Sequence, residues 1–183
     1  MPDDHPFRSP LRADGLVLRL PTCSDVQAMM ELWDHPTLAW MYPDAYDGSW
    51  PAEDLLLEMA LRAVARECVL VVENEDGDLL GTVHLNGFHR GEPALGWYVA
   101  PERRRQGVAT RAVEAAMGRL FADRCETLAA YLDPRNDASR GLVEKLGFVP
   151  GPSPLPGLAG FVTDRAAQIA RIDGVEPALR PAA

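Results

Sequence analysis

Apolar residues in this chain never run together for more than a handful of positions, as in Cys68-Val69-Leu70-Val71-Val72. A membrane-spanning helix needs about 20, so no partner membrane is expected. The N-terminal MPDDHPFRSP has no basic stretch followed by an apolar one, and no secretory leader is expected. Cysteine is scarce: Cys23, Cys68 and Cys125 are scattered, odd in number and without metal-ligand spacing. They read as reduced thiols in a cytoplasmic protein, and neither a disulfide framework nor a metal is expected. Positive charge is also short, with 18 Lys and Arg against 27 Asp and Glu, a net charge of −9. Binding to nucleic-acid phosphates requires a basic footprint, so nucleic acid is excluded as a general partner. A cationic or amine-bearing partner is compatible with this balance.

What is present suits one globular core: 183 residues, 47% apolar and 25% charged. The whole chain 1–183 is expected to form a single domain, with 1–14 and 174–183 as loose tails. A first strand is expected over 15–20, closed by Pro21, then a helix to about Trp33 that Ser24 or Thr22 can cap. Segment 34–50 has two prolines, a glycine and no sustained period, and reads as a loop rich in aromatics and acids. A second helix runs from about 49–51 to Arg66, with Leu55, Leu56, Met59, Leu61 and Val64 on its apolar side. The β-branched run 68–73, the turn Asn74-Glu75-Asp76-Gly77-Asp78 and the stretch 79–85 form a hairpin. Another strand follows at 94–99, then a helix over 107–123, a strand over 127–132 and a helix from about 137 to 146 that stops at Gly147. Beyond Phe148, four prolines in VPGPSPLPGLAG rule out a regular inner strand, and a last strand is expected within 161–172. The fold class is α/β, a mixed central sheet with helices on both faces.

Residues 103–110, RRRQGVAT, lie where a strand gives way to a helix. A helix start presents unpaired N–H groups and the positive end of the dipole. Gly107 admits a close backbone approach, while Arg104, Arg105, Gln106 and the Thr110 hydroxyl add donors beside Val108 and Ala109. Together they describe a pyrophosphate cradle, or else a solvated basic loop before a helix. Neither GxxxxGK[ST] nor GxGxxG is present, so the common nucleotide motifs do not apply.

Arg104-Arg105-Gln106-Gly107-Val108-Ala109, after a strand ending Val-Ala-Pro-Glu, resembles the acetyl-CoA signature of the GNAT acyltransferases. A second block, Asp133-Pro134-Arg135-Asn136-Asp137-Ala138-Ser139 followed by Val143-Glu144-Lys145-Leu146-Gly147-Phe148, resembles the same family. The likeness covers roughly residues 15–150 and is greatest to the branch containing the ribosomal-protein N-terminal acetyltransferases. It implies a splayed pair of parallel strands, with the cofactor arm pairing near Val99 in strand 94–99. The amides of Gln106 to Thr110 would hold the pyrophosphate, and Asn136, with Ser139 close by, would meet the cofactor arm. The co-substrate implied is acetyl-CoA, with no metal. The acceptor is an amine, attacking the thioester directly with backbone oxyanion stabilisation.

Proton handling is where the chain departs from these relatives. The position of their tyrosine acid is Val143, and that of a branch glutamate is Ala94. The remaining candidates for a base are His84, which also fits a hydrogen-bonded core histidine, and Glu92, which also fits a solvated turn acid. Trp40, Tyr42, Tyr46 and Trp97, with Asp34, Asp44 and Asp47, are candidates to contact the acceptor through charge and cation–π attraction, or else are core aromatics with solvated acids. Three functions are compatible: N-acetylation of a peptide or protein α-amine, acetylation of a cationic small molecule such as an aminoglycoside or polyamine, and acyl-CoA binding with little catalysis. Assembly is expected to be monomeric or homodimeric.

Overall fold

The computed structural model describes residues 5–33, 52–87, 93–123 and 125–173. Segment 34–50 with Trp40, Tyr42 and Tyr46, residues His89 and Glu92, expected in a loop and a turn, and 174–183, expected as a loose tail, lie outside the described residues.

Among the described residues, eight strands form one sheet in the order β1-β2-β3-β4-β5-β6-β8-β7. The strands are β1 (Leu11–Ala13), β2 (Leu16–Arg19), β3 (Val69–Asn74), β4 (Leu79–Asn86), β5 (Ala94–Val99), β6 (Thr127–Leu132), β7 (Val149–Gly151) and β8 (Ala159–Asp164). Only β5 and β6 are parallel; the other pairs are antiparallel. The helices are α1 (Val26–Leu32), α2 (Ala52–Arg66), α3 (Val108–Ala122), α4 (Asp137–Lys145) and α5 (Arg165–Ile172).

Alternation along β3, β4 and β5 divides the core. Leu70, Val72, Val83, Leu85 and Leu95 join Val113, Ala116, Met117 and Leu120 of α3 in the main core. Val69, Val71 and Tyr98 face the other way, onto Met29 of α1, Trp33 just after it, and Ala60 and Ala63 of α2. Helices therefore cover both faces, as the sequence implied. Leu61 is a correction: it is 49% exposed, because Leu55, Ala60 and Ala63 form the buried side of α2.

The N-terminal segment is not loose as far as it is described. Phe7 is fully buried, and Leu11–Ala13 pairs with Leu16–Leu18. The reversal is made by Asp14 (φ 49°) and Gly15 (φ 75°), an Asp-Gly turn of the kind that suits the twist of paired strands. Just before α1, Thr22 rather than Ser24 is the N-cap, of a 3-10 turn Cys23–Asp25 that leads into the helix, and its N–H and hydroxyl both donate to the Asp25 carboxylate, at 2.6 and 2.8 Å. Arg19 donates to Asp25 and to Glu73 of β3, tying the sheet to this turn. Its hydrogen bonds hold the Asp25 carboxyl down at about 2.

Pro150 lies in a three-residue strand at the sheet edge, where its missing N–H matters least. The 161–172 region is strand only to Asp164, and then becomes α5. Asp164 caps that helix by accepting from the Ala167 N–H at 2.7 Å.

Gly81 carries the tightest constraint near the site. An ideal Cβ there would stand 2.3 Å from the Tyr98 carbonyl oxygen on β5, so β4 and β5 must part for any side chain to fit. Gly81→Ala is expected to destabilise by about 1–3 kcal/mol, lowering Tm by several degrees in thermal denaturation. Gly118, exposed within α3, has open space where a Cβ would stand, with no atom within 4 Å. Gly118→Ala should instead stabilise by about 0.5–1 kcal/mol.

Candidate active site

The parallel pair β5–β6 is held by one rung, Ala94 opposite Ala129, with the Ala129 N–H donating to the Pro93 carbonyl at 3.0 Å. No further partners join the two strands toward their C-terminal ends. The pair is therefore open there, and this is the splay that the resemblance implied.

At the end of β5 the chain makes a short 3-10 turn, Pro101–Arg103, and enters α3 through two left-handed residues, Arg105 (φ 63°) and Gly107 (φ 76°). Gly107 is the N-cap of α3, and no side chain caps that helix. By contrast, α4 and α5 are capped by Asn136 and Asp164. The first amides of α3 (Val108, Ala109 and Thr110) have no carbonyl four residues back within the helix. These uncapped first-turn amides stand where the sequence places the expected cradle.

The side chains differ from expectation. Arg104 Nε donates to the Val99 carbonyl at 3.0 Å, and its guanidinium carbon lies 5.4 Å from the Tyr98 ring centroid. Gln106 Nε2 donates to the Glu102 carbonyl at 2.9 Å. Both brace the loop, one supplying a donor to the last carbonyl of β5 and the other to a carbonyl of the 3-10 turn. Arg105 remains exposed. Asn136 has a structural task as well: its Oδ1 accepts from the Ser139 N–H at 3.0 Å. Contact with a cofactor arm would fall to the other side of that amide.

His84 lies on β4 facing α1, opposite Gly96 of β5, and is 1% exposed. Its Nε2 is 3.0 Å from Thr82 Oγ1, which also accepts from the Trp33 indole N–H at 3.1 Å. Burial pushes the imidazole down to about 4. A neutral ring with Nε2 engaged is poorly arranged to take a proton, and the core-histidine reading fits it better than the base reading. Trp97 points to the opposite face, partly buried against the main core, away from His84. Val143, which has no hydroxyl, is fully buried in the main core.

The shifted histidine predicts acid sensitivity. Its folded value lies below the usual 6.5, so below that pH the unfolded chain binds the proton more readily. The contribution is complete above pH 6.5 and is lost as pH falls toward 4. Urea denaturation should show about 2 kcal/mol less stability at pH 5 than at pH 7 from this group. His84→Gln should flatten that part of the slope.

A protein-family model described as "Acetyltransferase (GNAT) domain" matches residues 15–149. The chain belongs to the GNAT acetyltransferase family. No curated protein matches it. Among solved structures it is similar to an acetyltransferase from Agrobacterium tumefaciens, with TM-score 0.69 and 22% identity over 86% of this chain and 95% of that one. A spermidine N-acetyltransferase from Vibrio cholerae, solved with CoA and spermine, gives TM-score 0.65 and 18% identity over 85% and 98%. RimJ from Mycobacterium smegmatis, solved with CoA-disulfide, gives 0.62 and 17% over 91% and 93%. At these identities the likeness establishes the GNAT fold and leaves the acceptor open.

Proposed function

We propose that this GNAT protein transfers an acetyl group from acetyl-CoA to a primary amine, and that its acceptor is the α-amine of a peptide or protein. The observation that carries the reading is the opening of β5 from β6 after one rung, beside a helix start that no side chain caps. Residues suited to hold the co-substrate are the backbone at Val99, the amides from Gln106 to Thr110, and Asn136. Acetyl-CoA would supply the activated thioester.

The protein's own part is positioning and electrostatics. The amides of α3 concentrate positive potential where a pyrophosphate would lie. The open edge of β5 orients the arm, and a backbone N–H there would stabilise the developing oxyanion. Proton removal is left to the acceptor and water, since Ala94 and Val143 replace the familiar acid–base side chains and His84 is neutral and engaged. Such a site favours an amine that is already substantially deprotonated near neutrality.

Thiol release across a panel of peptide α-amines, lysine ε-amines, spermidine and an aminoglycoside tests the reading. Turnover on α-amines supports it. Preference for the polycations would move the acceptor class to small molecules, held by acids of segment 34–50. CoA binding without release on any amine would leave an acyl-CoA-binding module.

A further inference from the structure

The ladder fixes the direction in which Val99, the last residue of β5, presents its backbone. The Ala100 N–H donates to the Leu80 carbonyl on β4 at 3.0 Å. Antiparallel partners alternate between pairs that exchange hydrogen bonds and pairs that do not. Tyr98 therefore bonds to its partner Thr82, while Val99, opposite Gly81, does not bond to β4. The far side of β4 agrees, since the Leu85 N–H donates to the Cys68 carbonyl, which turns Leu85, Val83 and Gly81 toward β3. The N–H and C=O of Val99 point the other way, toward β6. The rung that joins β5 to β6 is Ala94 opposite Ala129, at the other end of β5, so both groups of Val99 face the opening.

An unpaired strand edge is a template for an extended chain. Here its last carbonyl is already covered. Arg104 Nε, which can only donate, bonds to the Val99 oxygen at 3.0 Å. The turn Pro101–Arg103 brings Arg104 back over the end of the strand, with the Arg104 N–H donating to the Pro101 carbonyl at 3.3 Å. Its guanidinium is held a second time, the carbon standing 5.4 Å from the Tyr98 ring centroid. Tyr98 is 4% exposed and belongs to the cluster of Met29, Trp33 and Val71. The exposed arginine thus rests on a fixed surface.

We propose that Arg104 is a latch on the open edge of β5: it covers the Val99 carbonyl in the free protein, and the arm of an acyl-CoA displaces it in order to pair with the strand. This rests on the acetyl-CoA part of the reading above. The latch keeps other extended chains off the edge, and it lowers the affinity for the arm by the worth of the contact. The arm prevails because guanidinium has donors only and cannot serve the Val99 N–H, whereas the amides of the arm offer both a donor and an acceptor. The nucleotide half of CoA, held at the start of α3, binds without opening the latch.

The test uses two ligands, CoA and 3′-phospho-ADP, which is the nucleotide of CoA without its arm. The ratio of their affinities measures what the arm contributes, and any contact of Arg104 with phosphate cancels in it. Arg104→Met keeps a straight apolar side chain over Tyr98 and removes every donor. In calorimetric titrations of the full chain, the ratio for Arg104→Met should exceed that of the wild type roughly three- to tenfold, the worth of one modest hydrogen bond. A second readout needs no variant: in nitrogen NMR the Arg104 Nε hydrogen should be protected from exchange in the free protein and with 3′-phospho-ADP, and should lose that protection with CoA. An unchanged or smaller ratio in Arg104→Met overturns the proposal. So does protection at Arg104 Nε that survives CoA or is already lost with the nucleotide alone. Failure of the wild type to bind CoA overturns the acetyl-CoA reading itself, and this proposal with it.

Discussion

Gly107→Asp should leave the protein folded and abolish its response to CoA. The wild type, at CoA one hundred times its Kd, should gain about 2.7 kcal/mol, a Tm rise of roughly 5–10 °C for a chain of this size. In the variant the new side chain has room, since nothing lies within 4 Å of an added Cβ at 107. The left-handed backbone, φ 76°, costs a non-glycine residue about 1 kcal/mol. An aspartate at an N-cap offsets part of this by accepting from first-turn amides. Those are the amides proposed to hold the pyrophosphate, so the carboxylate both occupies them and repels the phosphates. Stability should stay within about 1 kcal/mol of the wild type, while CoA affinity falls by two orders of magnitude or more. Gly107→Ala carries the backbone strain without the charge and should retain most of the affinity. A normal CoA shift in Gly107→Asp would place the cradle elsewhere.

Glycine at this position is legible in the sequence because two independent signals coincide: a conformational requirement and a helix that begins directly after it. Strand 127–132 and the period of α3 are legible because each buries one apolar face, and strand 94–99 because its apolar run is covered on both faces, Leu95 in the main core and Tyr98 against α1 and α2. The side-chain roles around the cradle are not. Composition presents Arg104 and Gln106 as donors to a ligand, but the loop's own carbonyls at Val99 and Glu102 accept from them. Asn136 likewise reads as a cofactor contact, whereas its first task is to cap α4.

The end of the chain shows the converse limit. Helix α5 buries glutamine while its isoleucines face out: Ile169 is 54% and Ile172 75% exposed. Apolar periodicity therefore points away from the true arrangement. Gln168 Nε2 donates to the Leu146 carbonyl at 2.7 Å and to Thr163 Oγ1 at 2.8 Å, satisfying the end of α4 from another helix. Such polar docking leaves little trace in a hydrophobic pattern. The legible trace is Asp164, a capping residue at a strand end. The Asp14-Gly15 turn is a similar trace at the other end, and it announces the hairpin that draws β1 onto the sheet.

Acetylation rates at pH 7 should differ by two orders of magnitude or more between an α-amine and a sterically matched lysine ε-amine. Their ordinary pKa values are about 7.8 and 10.4, so the reactive neutral fraction is several hundredfold larger for the first. An enzyme with a well-placed base compensates for such a gap, whereas one that only positions the amine inherits it. The proposed reading puts this site in the second kind: among the described residues, Val143 stands where relatives carry a tyrosine, and His84 is buried with Nε2 against Thr82 Oγ1. The pH–rate profile separates the two cases. Were His84 the base, kcat/KM would have its acid limb near the imidazole's depressed value of about 4 and His84→Gln would remove it. With the amine governing, the rate should climb about tenfold per pH unit below the amine's own pKa and level off above it, and substituting acceptors of lower pKa should move the bend with them. Equal rates on the α- and ε-amines at pH 7, or a bend that stays fixed as the acceptor's pKa changes, would mean that a protein group takes the proton. Glu92 would then be the first residue to replace.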